Sequence, residues 1–375
     1  MKVIVLGAGL VGGPMAADLS KEKKYNVTIA DKNNEALKQF AAVGINTLQA
    51  DLADKEGLKK ILNDFDLVIS AMPGFMGFET LKTIIESKKN VVDIAFFPED
   101  PFLLNDLAIK NGVTAIVDCG VAPGMSNILT AFAEDQMDEV DTAITYVGGL
   151  PQMREWPYEY KAVFSPVDVI EEYVRPARFI ENGKEVIYPA LSGIELINIP
   201  GLGTLESFNT DGVRSLAKTI KAKNIREKTL RYPGYAEKML LLRETGFFNN
   251  EEIEIKGVKI RPVDFTAKLL FPKWKLNKGD EDLTVMQVSV KGLKNGKPIE
   301  YVYDLLDKYD PETGVHSMAR TTGYTATGAL GLLAENLFSQ KGVIVPEYIG
   351  RKKECVDFLL NHLKKRNIHY SCKIN

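Results

Sequence analysis

The stretch Lys2-Val3-Ile4-Val5-Leu6-Gly7-Ala8-Gly9-Leu10-Val11-Gly12 decides the fold. A compact β-branched run passes without a linker into a G-x-G-x-x-G loop. Gly7 permits the tight turn, Gly9 lets the backbone approach a pyrophosphate, and Gly12 lets the next helix pack closely on its strand. That helix points free N–H groups and its positive dipole end at the phosphates, with Leu10 and Val11 completing the loop. An ordinary βα turn can carry the same glycines, and context separates the two. Asp31 follows the second apolar run, Asn26–Ala30, and lies 19 residues beyond Gly12, against an expected separation of about 20. Its carboxylate suits the adenosine ribose and repels a 2′-phosphate, so NAD is expected over NADP. Lys32 pulls the other way unless it is simply solvated.

Outward from this loop, the runs Ile45–Gln49, Asp66–Ser70, Val91–Ala95 and Val113–Val117 repeat the first two. Between them apolar residues fall at helical spacing, as at Leu58, Ile61, Leu62 and Phe65. The alternation predicts an α/β domain over residues 1–135, a doubly wound parallel Rossmann sheet. Asp51, followed by Leu52, either meets the adenine amino group or caps a helix over Lys55–Asn63. Ala71, Met72 and Pro73 run past the cofactor at the carboxyl edge of the sheet, where open α/β sheets bind ligands.

The 375 residues exceed one ordinary core. A net charge of -3 without long like-charge blocks argues against nucleic acid and anionic membranes. No apolar run approaches the roughly 18 residues of a membrane span, and the opening run is too short and glycine-broken for a signal peptide. Three cysteines without a Cys-x-x-Cys pair point to a reducing cytoplasm. Three scattered histidines offer no zinc spacing, so no metal is expected.

After about residue 140 the pattern changes. Glu181-Asn182-Gly183-Lys184 and Lys294-Asn295-Gly296-Lys297 are hairpin signals between β-prone runs. Helices are expected over Asp211–Lys221, with Asp211 as its cap, and over Ala236–Glu244. Residues 136–316 thus read as an α+β substrate and dimerisation domain on a mixed sheet. Residues 317–375 become helical, with a stripe of Cys355, Phe358, Leu359, His362 and Leu363, and are expected to return to the first domain.

Several stretches, in order, resemble the saccharopine dehydrogenase-related family. They include Met72-Pro73-Gly74-Phe75, Phe97-Pro98-Glu99-Asp100-Pro101, Val117-Asp118-Cys119-Gly120-Val121-Ala122-Pro123-Gly124-Met125-Ser126-Asn127, Phe164-Ser165-Pro166, Thr229-Leu230-Arg231-Tyr232-Pro233-Gly234 and Met318-Ala319-Arg320-Thr321-Thr322-Gly323. Saccharopine-forming members carry an acidic residue before the Pro-Gly and a histidine shortly after. Ala122 and Asn127 stand there instead, which favours the archaeal and bacterial L-lysine 6-dehydrogenase branch.

That resemblance implies NAD-dependent oxidation at the ε-amine of L-lysine, giving ammonia and an allysine that cyclises to a piperideine carboxylate. It also implies a homodimer or larger assembly. Arginine suits a carboxylate clamp. Arg231 matches an arginine that holds substrate in the wider family, and Arg175 is second, with salt bridging open for it. Asp118 is the candidate base and Asp93 competes with it, although either could serve only a neighbouring loop. Lys161 and Tyr160 could relay a proton or line the pocket. His316, in a polar turn, reads as exposed, His362 as a satisfied core histidine, and Cys119 as a small buried hydrophobe. Two other functions stay open: a dehydrogenase or reductase for a secondary amine such as saccharopine or a carboxylated polyamine, and a non-catalytic NAD-bound sensor.

Overall fold

The computed structural model describes residues 1–163, 166–277 and 279–375. Phe164 and Ser165 of the family-like Phe164-Ser165-Pro166 stretch therefore lie outside the described residues. The chain forms two units, Met1–Asp135 with Met318–His369, and Gln136–Ser317 with Tyr370–Asn375.

The first unit is built on a seven-stranded sheet ordered Gly342–Ile344, Thr114–Ile116, Asn90–Asp93, Leu67–Ser70, Lys2–Leu6, Asn26–Asp31 and Asn46–Gln49. All of its pairs are parallel. The central strands are buried on both faces, and Val3 to Leu6 have no exposed surface, as helices on both faces of a parallel sheet require. Strand order reverses beside Lys2–Leu6, which pairs with Asn26–Asp31 on one side and Leu67–Ser70 on the other. The doubly wound expectation is met, with one addition. The seventh strand, Gly342–Ile344, comes from the C-terminal segment that the sequence reads as helical. Three residues between Lys341 and Val345 are too few to carry a periodic signal.

Glycine sets how closely the first helix, Gly12–Ser20, meets its strand. A Cβ on Gly12 would lie 2.0 Å from the Gly7 carbonyl oxygen, whereas one on Gly9 would meet nothing within 4 Å. The returning helix Ser317–Ala334 uses the same device. A Cβ on Gly328 would stand 2.9 Å from Leu359, and one on Gly331 3.0 Å from Phe358, both on the helix Lys353–Lys364. The return is also fastened by charge. Arg366 Nε reaches both oxygens of the buried Asp18 at 2.8 Å, and its Nη2 bonds Glu22 at 3.0 Å. The Thr327 hydroxyl donates to Asp18 at 2.9 Å and so accepts from His362 Nε2, also at 2.9 Å.

The second unit carries a nine-stranded mixed sheet. Its main path runs Glu195–Ile199, Gly203–Asn209, Ala222–Arg231, Glu139–Pro151, Asp282–Lys294, Lys297–Lys308 and Tyr370–Ile374. Ala177–Glu181 pairs with Ala222–Arg231 and with Lys184–Tyr188. On the main path only Ala222–Arg231 and Glu139–Pro151 are parallel. Both Asn-Gly hairpins form, with φ of 50° and 75° at Asn182 and Gly183 and 52° and 71° at Asn295 and Gly296. Those positive angles are the reason for Asn-Gly.

Two expectations fail. The helix over Asp211–Lys221 shrinks to Leu216–Thr219. Asp211 caps nothing there, because its carboxylate is held by Arg178 Nε and Nη2, both at 2.9 Å. The segment 317–375 does not return whole, because Tyr370–Ile374 pairs with Lys297–Lys308 in the second unit.

Two outcomes follow from this packing. Gly12→Ala should lower the stability of the first unit by at least about 2 kcal/mol through overpacking, while Gly9→Ala melts like the parent; equal melting of both variants contradicts the account. Burial, and then the nearby Arg366, Lys24 and Lys365 charges, push His362 down from 6.5 to about 3. A depressed histidine contributes fully above its unfolded value, and that contribution is lost as pH falls from about 6.5 towards 3, by up to about 1.4 kcal/mol per pH unit. His362→Gln should flatten that acid slope, measured as denaturation midpoints between pH 7 and pH 4.

Candidate functional site

The cradle in the first unit begins where the strand Lys2–Leu6 ends. Gly7 takes φ of 101°, and a Cβ there would meet the Ala71 carbonyl oxygen at 2.7 Å, so the loop and the Ala71-Met72-Pro73 segment touch. Ala71 N–H bonds the Leu6 carbonyl, continuing the parallel ladder. Met72 is buried, and Pro73 starts the helix Gly74–Glu86. The helix Gly12–Ser20 has no side-chain cap and no acidic residue in its first turn. Gly13 N–H already bonds the Gly9 carbonyl at 3.1 Å and Pro14 has no N–H, so what the helix offers beside half-buried Val11 and exposed Leu10 is chiefly its positive end. A pyrophosphate fits such an end, and the room left at Gly9 lies on the approach to it.

Asp31 closes the cradle. Its Oδ2 accepts from Ala8 N–H and its Oδ1 from Asn33 N–H, both at 2.8 Å. These bonds fix a half-buried carboxylate against the glycine loop, while Lys32 is exposed. Asp51 needs a correction. The cap of the helix Lys55–Leu62 is Asp54, which accepts from Glu56 N–H, whereas Asp51 closes a turn onto Ala53 N–H at 3.0 Å. The helix starts at Lys55 as expected, with Asp54 directly before it, so Asp51 is an exposed acid at the strand edge beside buried Leu52.

Asp93 and Asp118 come together at the same carboxyl edge. Asp93 ends its strand with no exposed surface and accepts from Ala95 N–H at 3.0 Å, while Cys119 N–H bonds the Asp93 carbonyl at 3.1 Å. Asp118 lies two residues past Ile116 with φ of 51°, a left-handed turn that a short polar side chain tolerates. Burial, and then the charges of Asp118 and Asp93, push the Cys119 thiol well above its ordinary value, which suits a packed hydrophobe. The sequence reading missed Thr322, whose methyl would meet a Cβ on Gly120 at 3.2 Å. Asn127 faces inward: its Oδ1 accepts from Gly124 N–H at 3.1 Å and its Nδ2 donates to Glu347 at 3.3 Å. Capping this turn, rather than touching a ligand, accounts for that position.

The second unit gathers a separate polar cluster. Arg231 ends the strand Ala222–Arg231 and is 2% exposed. Its guanidinium lies 4.6 Å from the centre of the Tyr160 ring. Nη1 bonds the Leu230 carbonyl at 2.9 Å and Nη2 bonds Glu172 at 2.7 Å. The expected clamp therefore already holds an internal carboxylate. Much of the Thr229–Gly234 stretch is architectural: Gly234 takes φ of 86°, and Glu206 accepts from its N–H and from that of Ala236 at the start of the helix Tyr235–Thr245. Arg175 reaches Glu171 at 3.3 Å one turn away. Buried Lys161 pairs with Glu155 at 3.0 Å and lies 3.8 Å from Asp280. His316 is half-buried rather than exposed, with Nε2 3.1 Å from the Asp280 carbonyl. Glu172 escaped the sequence reading because nothing distinguishes it from Glu171 until the buried face of the helix Pro166–Val174 is known.

Residues 3–116 match the family model described as the saccharopine dehydrogenase NADP binding domain, and residues 120–368 the saccharopine dehydrogenase C-terminal domain. Alpha-aminoadipic semialdehyde synthase of Mus musculus is 29% identical over 67% of this chain, which spans only 29% of that protein's length. Saccharopine dehydrogenase [NADP(+), L-glutamate-forming] of Schizosaccharomyces pombe is 28% identical over 66% of this chain and 58% of its own. Carboxyaminopropylagmatine dehydrogenase of Synechocystis is 25% identical over 91% of both. The solved apo saccharopine dehydrogenase (L-Glu forming) of Saccharomyces cerevisiae shares the fold, with a TM-score of 0.83 over 100% of this chain and 99% of its own at 20% identity. With the two family models following one another along nearly all of the sequence, the chain belongs to the saccharopine dehydrogenase family.

Proposed function

We propose that the protein is an NAD-dependent dehydrogenase that oxidises the carbon–nitrogen bond at the ε-amine of L-lysine. The observation that carries the cofactor preference is Asp31, a carboxylate fixed against the glycine loop. A 2′-phosphate there would meet negative charge. A bound dinucleotide would supply the acceptor for the hydride of the carbon that bears the nitrogen; every other task falls to side chains. The ε-ammonium, ordinarily near pKa 10.4, must first lose a proton, and we assign that proton to Asp118, with Asp93 beside it. Water then hydrolyses the iminium, ammonia leaves, and the aldehyde condenses with the α-amine. Arg231 is the proposed partner of the α-carboxylate.

The match to carboxyaminopropylagmatine dehydrogenase over 91% of both chains supports a second reading, in which the substrate is a secondary amine such as a carboxylated polyamine. A screen of NADH and NADPH formation with L-lysine, ornithine, saccharopine and polyamines separates the two. We expect L-lysine with NAD to be preferred at least tenfold, about 1.4 kcal/mol. A tenfold preference for NADP sinks the reading of Asp31, and no lysine-dependent signal sinks the substrate.

Within the lysine reading, Arg231→Lys keeps the charge but loses the fork, and kcat/KM should fall ten- to a hundredfold, about 1.5–3 kcal/mol. Asp118→Asn should depress kcat and move the basic limb of activity to higher pH, leaving the dinucleotide Kd unchanged. Lysine activity that survives both substitutions with its pH profile intact removes the site assignment.

A further inference from the structure

Arg231 sits in a box of aromatic rings whose hydrogen-bonding capacity is unbalanced. Tyr160, Tyr173, Tyr235 and Trp274 are all at most 3% exposed. Their rings contact one another: the Tyr160 centroid lies 5.1 Å from that of Tyr235 and 5.6 Å from that of Trp274. Tyr173 and Tyr235 share a 2.6 Å bond between their hydroxyls, in which one donates and the other accepts. Arg231 Nε, Tyr160 Oη and Trp274 Nε1 are buried without a hydrogen-bond partner among the described residues. The N–H groups of Arg231 and Trp274 can only donate, while the phenol can donate or accept. Buried donors are normally satisfied, so the box is short of acceptors.

Among the described residues Glu172 supplies the one acidic acceptor on the guanidinium. Its carboxylate bonds Arg231 Nη2 at 2.7 Å, yet the side chain remains 24% exposed while that of Arg231 is 2% exposed. Burial raises the Glu172 carboxyl above the usual carboxylate range, opposed by Arg231 and aided by Asp168. The anion therefore stands on the open side of the pair and is held at a cost in hydration.

We propose that Glu172 is an internal stand-in for a ligand carboxylate, displaced from Arg231 when a carboxylate-bearing substrate binds, and so a residue that sets affinity at this subsite. The exchange breaks one ion pair and forms another, with the incoming carboxylate also able to accept from Arg231 Nε. This rests on the reading of Arg231 given above. Glu172 competes with the ligand, so its removal strengthens binding of carboxylates and leaves amines without one unaffected. A merely structural ion pair behaves differently, since losing Glu172 would then cost stability and improve no ligand.

The test is calorimetric titration of the NADH-bound protein, where no turnover occurs, with L-lysine, glutarate and cadaverine, which is lysine without its carboxylate. E172Q should lower the Kd for L-lysine and glutarate at least tenfold and leave that for cadaverine within twofold. E172D, which keeps the charge but shortens its reach, should shift the same two in the same direction by less, and it decides the matter if E172Q does not fold. Unchanged or weaker binding of both carboxylates overturns the proposal. Tighter carboxylate binding in a protein that fails to oxidise lysine leaves the role of Glu172 standing and removes the substrate instead.

Discussion

The first unit depends on one close approach, the backbone of Gly12 against the carbonyl of Gly7. With only 2.0 Å available to a Cβ, no other residue permits the helix to leave the strand at that angle. The sharp exit aims the helix end over the carboxyl edge of the sheet, beside the reversal of strand order. Asp31, Ala71 and the Asp93–Asp118 pair then gather there because parallel strands all deliver their carboxyl ends to one side. The cradle is thus a consequence of backbone sterics first and of side-chain chemistry second.

Legibility in the sequence followed the range over which each signal acts. The glycine loop, the apolar runs and both Asn-Gly turns are local, and they appear within a residue or two of where the pattern puts them. Asp211 shows the limit: an acid ahead of a helix-prone segment reads as a cap, but Arg178, far away in sequence, holds it instead. The helix after the third strand begins at Lys55 as the pattern puts it, and the adjacent Asp54, not Asp51, is its cap. The Arg231–Glu172 pair joins residues from a strand and a distant helix, and no periodicity encodes such a meeting.

Two clusters treat buried charge in different ways. Around Asp18, Arg366, Glu22, Thr327 and His362 the network uses both carboxylate oxygens and a neutral ring. Such satisfied clusters make good fasteners, because breaking one partner strands another. The box around Arg231 leaves three buried polar atoms unsatisfied. Native folds keep few groups of that kind, and two of these, Arg231 Nε and Tyr160 Oη, belong to a guanidinium and the ring it lies over.

Neither unit is continuous in sequence, and this bears on how the chain is made. The strand Thr114–Ile116 has its outer neighbour in Gly342–Ile344, and Lys297–Lys308 has its own in Tyr370–Ile374. During synthesis the first of these edges stays unpaired while all of residues 117–341 emerge, and the second until residues 370–374 have emerged. Open strand edges template unwanted pairing. The vulnerable species is accordingly the nascent chain, which carries a nearly finished dinucleotide fold with one bare edge.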